Sequence, residues 1–135
     1  MNFRVGVLLL TSSLLGWQSG HSQRVVSLPS GDSVAVISAG PAMVPNKPTG
    51  FIVKFYPYRS LDDTLQLKRQ ALELRRILRP MLDSTKAPWI VLQATDQKPG
   101  PHFGFFHVTN YGFVFEERAD GKWYFLHATE PIPDP

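Results

Sequence analysis

The sequence has 135 residues, no cysteine and a formal net charge of +3, from 14 Lys and Arg against 11 Asp and Glu. This length suits one small domain that buries a core without disulfides. So small a positive excess argues against a nucleic-acid partner. The lack of cysteine argues against a small disulfide-rich secreted module and favours a protein of a bacterial cell envelope.

The beginning of the chain predicts a cleavable signal peptide, residues 1–22. Arg4 precedes an apolar stretch at 5–17, which suits a signal-peptide core and is shorter than the roughly 20 residues of a membrane span. Gly20 and Ser22 are the small residues that a signal peptidase reads, and they place the cut after Ser22. We therefore expect a periplasmic or secreted protein with no stable membrane span after cleavage. A buried N-terminal helix and an uncleaved anchor are the alternatives.

The part of the chain after the cut, residues 23–135, is expected to be one small α+β domain. Two β-branched runs at 24–28 and 33–38 flank a Pro-Ser-Gly-Asp turn and predict a small N-terminal hairpin. The hairpin and a proline-rich stretch make up residues 23–50, and the core is expected in residues 51–128.

Prolines separate the hairpin from the core. Residues 40–50 hold three of them, which predicts a surface loop without regular structure because proline cannot donate a backbone hydrogen bond. Residues 51–56 alternate between two sides in the manner of a strand, and Pro57 ends it.

One long helix follows. Ser60 is the expected N-cap, with Asp63 completing a capping box. Pro80 predicts a kink, or a stop and restart, near Arg79, and the helix should end by residues 84–86. Its core stripe is expected to consist of Leu67, Ala71, Leu74, Leu78, Met81 and Leu82.

The rest of the chain predicts strands and turns, ending in a frayed proline-rich tail at 130–135. Gly121 suits the left-handed position of a tight turn. The crossover from 51 to 95 is long enough for a parallel pair. The fold class is therefore α+β: a curved, mostly antiparallel sheet on one long helix. The expected strands after the helix are 89–95, 103–108, 111–117 and 122–127.

A basic helix flank is the first candidate site. Five cations fall within a third of the helix circumference and could bind an anionic partner such as lipid headgroups or an envelope polymer. The alternative is a solvated face whose aliphatic stems cover neighbouring leucines. The five are Lys68, Arg69, Arg75, Arg76 and Arg79.

An excess of aromatic residues is the second candidate site. More aromatic side chains follow the helix than one sheet face needs, which favours a pocket for an apolar or carbohydrate ligand. The alternative is burial on both faces, with the N-terminal hairpin covering the second one. The candidate ligand-binding residues are Phe106, Tyr111, Trp123 and Tyr124.

Catalytic motifs are weak. Asp96, His107 and Tyr111 are acid–base candidates for a small hydrolase or isomerase, but no nucleophile elbow or phosphate-binding loop occurs. His102 and His107 are five residues apart, which places them on opposite sides of a strand and argues against a metal site. We expect no cofactor.

The leading functional prediction is therefore a non-catalytic envelope module that binds an unknown protein or small-molecule ligand. A hydrolase or isomerase with a pocket on the sheet face is one alternative. A structural or inhibitory accessory protein is the other.

Overall fold

The computed structural model of the chain describes residues 24–99 and 107–133, which form one mixed six-stranded sheet and one helix. The predicted signal peptide and residues 103–106 of an expected strand lie outside these residues. The helix α1 (Thr64–Thr85) connects the third and fourth strands. The strands are β1 (Arg24–Ser27), β2 (Ser33–Ala42), β3 (Gly50–Tyr56), β4 (Trp89–Thr95), β5 (Asn110–Glu117) and β6 (Trp123–Phe125).

The strands follow one another across the sheet in chain order. The pair β3–β4 is parallel and the other four pairs are antiparallel. Parallel neighbours need a long crossover, and α1 supplies it. The predicted α+β class is confirmed, and the parallel pair that the crossover length permits is present.

The core lies between α1 and one face of the sheet. Strand residues alternate between the two faces, so Phe51, Val53 and Phe55 are buried while the residues between them are half-buried. All six residues of the expected helix stripe are buried, which confirms it. This leaves the other face of the sheet without the helix.

The helix begins three residues after the expected position. Asp63 is the N-cap, because its Oδ1 accepts a hydrogen bond from the Gln66 N–H at 3.4 Å. The Ser60 hydroxyl accepts instead from the Asp62 N–H at 3.1 Å. Ser60 therefore stabilises the turn before the helix. This local hydrogen bond takes the place of the capping bond that was expected. The predicted helix end is confirmed, since Thr85 is its last residue.

Pro80 does not interrupt α1. The helix runs through it without a stop and restart, so that alternative was wrong. Pro80 and Arg76, whose carbonyl loses its usual N–H partner, are both exposed. A carbonyl on the exposed side of a helix can bind water in place of the missing N–H, which is consistent with a helix that continues through the proline.

The N-terminal strand β1 pairs antiparallel with β2, from Arg24 opposite Val36 to Ser27 opposite Ser33. Because β1 is the edge strand of the same sheet, it widens the sheet instead of covering its second face. The expectation that the hairpin covers that face was therefore wrong.

The proline-rich stretch is partly a strand. β2 continues to Ala42, and Pro41 pairs with Phe51 of β3, so the expected loop at 40–50 starts three residues too early and includes strand residue Gly50. Among the described residues, β1 pairs with β2 only as far as Val36, opposite Arg24. No described strand therefore needs a hydrogen bond from Pro41 on that side of β2.

The C-terminal part differs from expectation in three ways. β6 is only three residues long, because His127 has a positive φ of 66° that leaves the strand conformation. Val108 precedes β5 and is not in a strand. Ile132 is buried, and its N–H donates to the Trp123 carbonyl at 2.7 Å, so the tail up to residue 133 is docked on the sheet instead of frayed.

Candidate functional site

A cleft of about 370 Å³ lies between the C-terminal end of α1 and the β5–β6 turn. Its volume is within the usual range for small-molecule sites. The helix and the residues after it form one wall, and the hairpin forms the other. The lining residues are Arg79, Leu82, Asp83, Lys86, Ala87, Glu117, Gly121 and Trp123.

Backbone geometry holds the two walls in place. Lys86 ends the helix in the left-handed conformation, with its N–H donating to the Asp83 carbonyl at 3.3 Å. The Glu117 N–H donates to the Pro88 carbonyl at 2.9 Å, which ties the end of β5 to the segment after α1. Gly121, at φ 78°, closes the turn that returns the chain to β6. These backbone contacts set the position of each wall of the cleft.

Trp123 is the aromatic wall of the cleft. It pairs directly with Glu117 across the hairpin. The Arg75 guanidinium lies 5.5 Å from the centroid of the Trp123 ring and 5.8 Å from that of Phe115. Arg75 is only 5% exposed, so these cation–π contacts are largely shielded from water and fix the indole.

Opposite charges surround the cleft above an apolar floor. Leu82 and Ala87 are buried. Arg79 Nε lies 3.7 Å from Asp83 Oδ2, and Lys86 adds a second cation. Together with the Glu117 carboxylate, these groups offer both donors and acceptors of hydrogen bonds beside an aromatic ring.

The predicted ligand-binding residues do not lie together. Trp123 lines the cleft, but Tyr124 alternates to the other side of the sheet, where its hydroxyl donates to the Asp120 carboxylate. Tyr111 lies at the opposite end of β5 and packs on Phe113, with ring centroids 5.1 Å apart. Phe106 is outside the described residues.

The acid–base candidates lie at the far end of the sheet from the cleft. Asp96 Oδ1 accepts a hydrogen bond from the Thr109 N–H at 2.8 Å, so this carboxylate closes the β4–β5 connection. His107 is exposed and Tyr111 is 42% exposed. Within residues 24–99 and 107–133, no three His, Asp or Glu side chains lie close enough to hold a metal ion.

The basic flank of α1 divides among different contacts. The Lys68 ammonium lies 4.6 Å from the centroid of the Phe125 ring. Arg69 Nη2 is 3.4 Å from Asp32 Oδ2, and Arg76 is exposed on the outer side of the helix. Of the other two cations, Arg75 contacts the Trp123 ring and Arg79 lines the cleft. Lys68, Arg69 and Arg76 are exposed, but the contacts of Lys68 and Arg69 with Phe125 and Asp32 divide the five cations among separate neighbours.

The sequence prediction missed most of the cleft. Leu82 was predicted only as a core residue, and Asp83, Lys86 and Glu117 were not predicted as site residues, because the two walls are more than 30 residues apart in the sequence. Two local signals were present: a helix end and a glycine turn followed at once by a tryptophan. Neither signal shows that the two elements face each other.

The chain matches no protein-family model, no curated protein and no solved structure. Among its described residues, no helix is long and apolar enough to cross a membrane. The geometry of the cleft is therefore the main guide to function.

Proposed function

We propose that the protein is exported to the periplasm or the medium by a signal peptide cut after Ser22, and that the mature domain is a non-catalytic binding module. Its ligand site is the cleft beside Trp123. The main support for this proposal is a cleft of about 370 Å³ that is lined by the Trp123 indole and by charged groups of both signs.

The chemistry of the walls favours a small neutral saccharide as ligand. A sugar ring has C–H groups that pack on an aromatic face and hydroxyls that both donate and accept hydrogen bonds. Trp123 supplies the aromatic face, Lys86 supplies donors and Glu117 supplies acceptors. With two lining cations and two lining carboxylates, the wall has no net charge that would select an anion.

The lining residues favour binding over catalysis. None of them carries a hydroxyl, thiol or imidazole that could act as nucleophile or neutral base. Asp83 is an ion-pair partner of Arg79, and a glycosidase would need two carboxylates available to one bond. These features support a module that holds its ligand without changing it.

Tryptophan fluorescence tests the binding site. After cleavage the chain keeps two tryptophans, Trp89 and Trp123, so the Trp89→Phe variant reports on Trp123 alone. We expect titration with a panel of neutral disaccharides to change this emission for at least one member. Trp123→Ala should weaken that binding at least about tenfold by calorimetry, the loss that removing an aromatic anchor gives.

The Trp89→Phe variant is the matched control, because Trp89 lies on the other face of the sheet. It should bind the same sugar with unchanged affinity. If no neutral disaccharide binds, or if Trp123→Ala binds as tightly as the unaltered protein, the proposed site is wrong.

Intact mass of the exported protein tests the proposed export. We expect the mass of residues 23–135, with Gln23 as the new terminus. A protein recovered from the envelope with Met1 still present would contradict cleavage after Ser22, without affecting the cleft.

A further inference from the structure

The sheet face that points away from α1, here called the open face, has a regular centre on β3, β4 and β5. The strand registers, together with the contact between Gly50 and Trp89, place nine residues of this face in three rows of three. Each alternates with residues that point to the core, so their side of the sheet is determined. The rows are Lys54–Gln93–Gly112, Ile52–Val91–Val114 and Gly50–Trp89–Glu116.

The middle row is apolar. Ile52, Val91 and Val114 are half-buried side by side. The Leu126 N–H donates to the Val114 carbonyl at 3.0 Å, so Leu126, which is 41% exposed, extends the row. A sheet with one solvated face usually alternates apolar and polar residues. A continuous apolar row on that face is typical of a surface that another layer covers.

The two charged residues of the nine are placed symmetrically. Lys54 is on β3, opposite Gln93, which is two residues after Val91. Glu116 is on β5, opposite Trp89, which is two residues before Val91. The two charges therefore lie in opposite directions from Val91. Each is roughly 8 Å from Val91 in the plane of the sheet, given the usual strand spacing and rise. The face thus has opposite charges on either side of an apolar centre.

We propose that two copies of the chain pack open face against open face in a symmetric dimer. The twofold axis lies midway between the two sheets and passes between the two Val91 residues. It is perpendicular to the Lys54–Glu116 line and therefore exchanges the two charged positions. Each Lys54 then lies opposite Glu116 of the partner subunit, and the apolar rows meet at the centre. Given this spacing and rise, the strands of the two sheets cross at about 70°, which is nearer to the orthogonal than to the aligned form of sheet packing.

The existing contacts leave room for this pairing. Glu116 Oε2 lies 3.5 Å from Arg118 Nε, but a carboxylate has two oxygens and can accept from a second cation. Lys54 has no ion pair among the described residues. The dimer therefore gives Lys54 a partner and adds a second cation beside a carboxylate that is already half-buried.

Charge exchange tests the arrangement by sedimentation equilibrium of the mature protein. The unaltered chain is expected to be a dimer. Lys54→Glu and Glu116→Lys should each raise the dimer dissociation constant at least about tenfold, because each places like charges opposite each other twice. A 1:1 mixture of these two variants should form heterodimers, since both cross-contacts then join opposite charges.

Two further variants make the result decisive. Arg76→Glu changes the charge by the same amount as Lys54→Glu on the outer side of α1, and it should leave the dimer intact. Val91→Glu places a charge on the axis and should give a monomer, with circular dichroism showing that it is folded. An unaltered chain that is monomeric at its highest soluble concentration would overturn the proposal, as would variants that fail to associate when mixed. A monomer would mean that another part of the chain or a different partner covers the face.

Discussion

Gly50 lies directly beneath the indole ring of Trp89. A β-carbon built on Gly50 would overlap the Cε2, Cδ2 and Cζ2 atoms of that ring. The ring is held there, because Trp89 Nε1 donates a hydrogen bond to the Pro48 carbonyl at 2.7 Å. The bond ties the start of β4 to the loop that enters β3, and only glycine leaves space for it.

Replacing Gly50 with alanine should therefore destabilise the fold. The added methyl group would force the indole or the strand to shift, which costs about 1–3 kcal/mol of the free energy of unfolding. Gly40→Ala is the matched control, because nothing lies within 4 Å of its built β-carbon, and it should change stability by less than about 0.5 kcal/mol. Urea denaturation measures both. Equal stability of the two variants would contradict the close packing.

Asp32 joins the β1–β2 turn to the helix. Its Oδ2 accepts from Arg59 Nη2 at 3.0 Å, Gln70 Nε2 at 3.2 Å and Arg69 Nη2 at 3.4 Å. Gln70 is fully buried, so Asp32→Ala removes a partner from an amide that water does not reach. We expect a loss of about 1–3 kcal/mol in the free energy of unfolding, measured by urea denaturation.

Asp62→Ala is the control for this prediction. Asp62 is an exposed aspartate whose side chain has no hydrogen bond to another described residue, and its removal should cost less than about 0.5 kcal/mol. Equal losses in the two variants would show that Asp32 acts only through general electrostatics.

Local periodicity explains which elements could be predicted. The strand at 89–95 and the apolar stripe of α1 have the predicted residues, because alternation and 3.6-residue spacing are properties of neighbouring residues. The N-cap was displaced to Asp63 because Ser60 and Asp63 are both good caps, and only the path of the chain decides between them.

Contacts between distant residues explain what could not be predicted. Pro41 was predicted to be in a loop, because its position opposite Phe51 of β3 depends on a pairing between distant residues. The burial of Ile132 depends on the position of Trp123, and the cleft depends on the distance between the end of α1 and the hairpin turn. Of the three candidate ligand-binding residues that the structure describes, Trp123 alone lines the cleft. Strand alternation places its neighbour Tyr124 on the other face.

Pro80 should be a site where the protein can be stabilised. It lies inside a continuous helix at an exposed position, where alanine restores the backbone N–H and removes the clash with the preceding turn. Pro80→Ala should raise the free energy of unfolding by about 1–3 kcal/mol. Arg76→Ala, one turn earlier on the same exposed side, is the control and should change it by less than about 0.5 kcal/mol. A Pro80→Ala protein that unfolds earlier than the unaltered one would show that the proline shapes the packing of α1.

The β5–β6 turn contains a pH-sensitive contact. The Tyr124 hydroxyl donates to Asp120 Oδ2, and the Lys122 N–H donates to Asp120 Oδ1 at 2.9 Å. The hydrogen bond from Tyr124, followed by the one from Lys122, lowers the pKa of Asp120 below its usual 3.8. The same carboxylate raises the pKa of Tyr124 above its usual 10.0.

These shifts give the contact a defined range of pH. Because the pKa of Asp120 is lowered by folding, its stabilising effect is complete above 3.8 and is lost as the pH falls through the folded-state value. Because the pKa of Tyr124 is raised, its stabilising effect is complete below pH 10.0 and is lost as the pH rises through the folded-state value.

Tyr124→Phe should therefore be less stable than the unaltered protein at pH 6, and this difference in the free energy of unfolding should shrink in acid. Asp120→Asn should flatten the acid limb of the stability curve. A Tyr124→Phe difference that persists at pH 2 would show that the hydroxyl acts without the carboxylate.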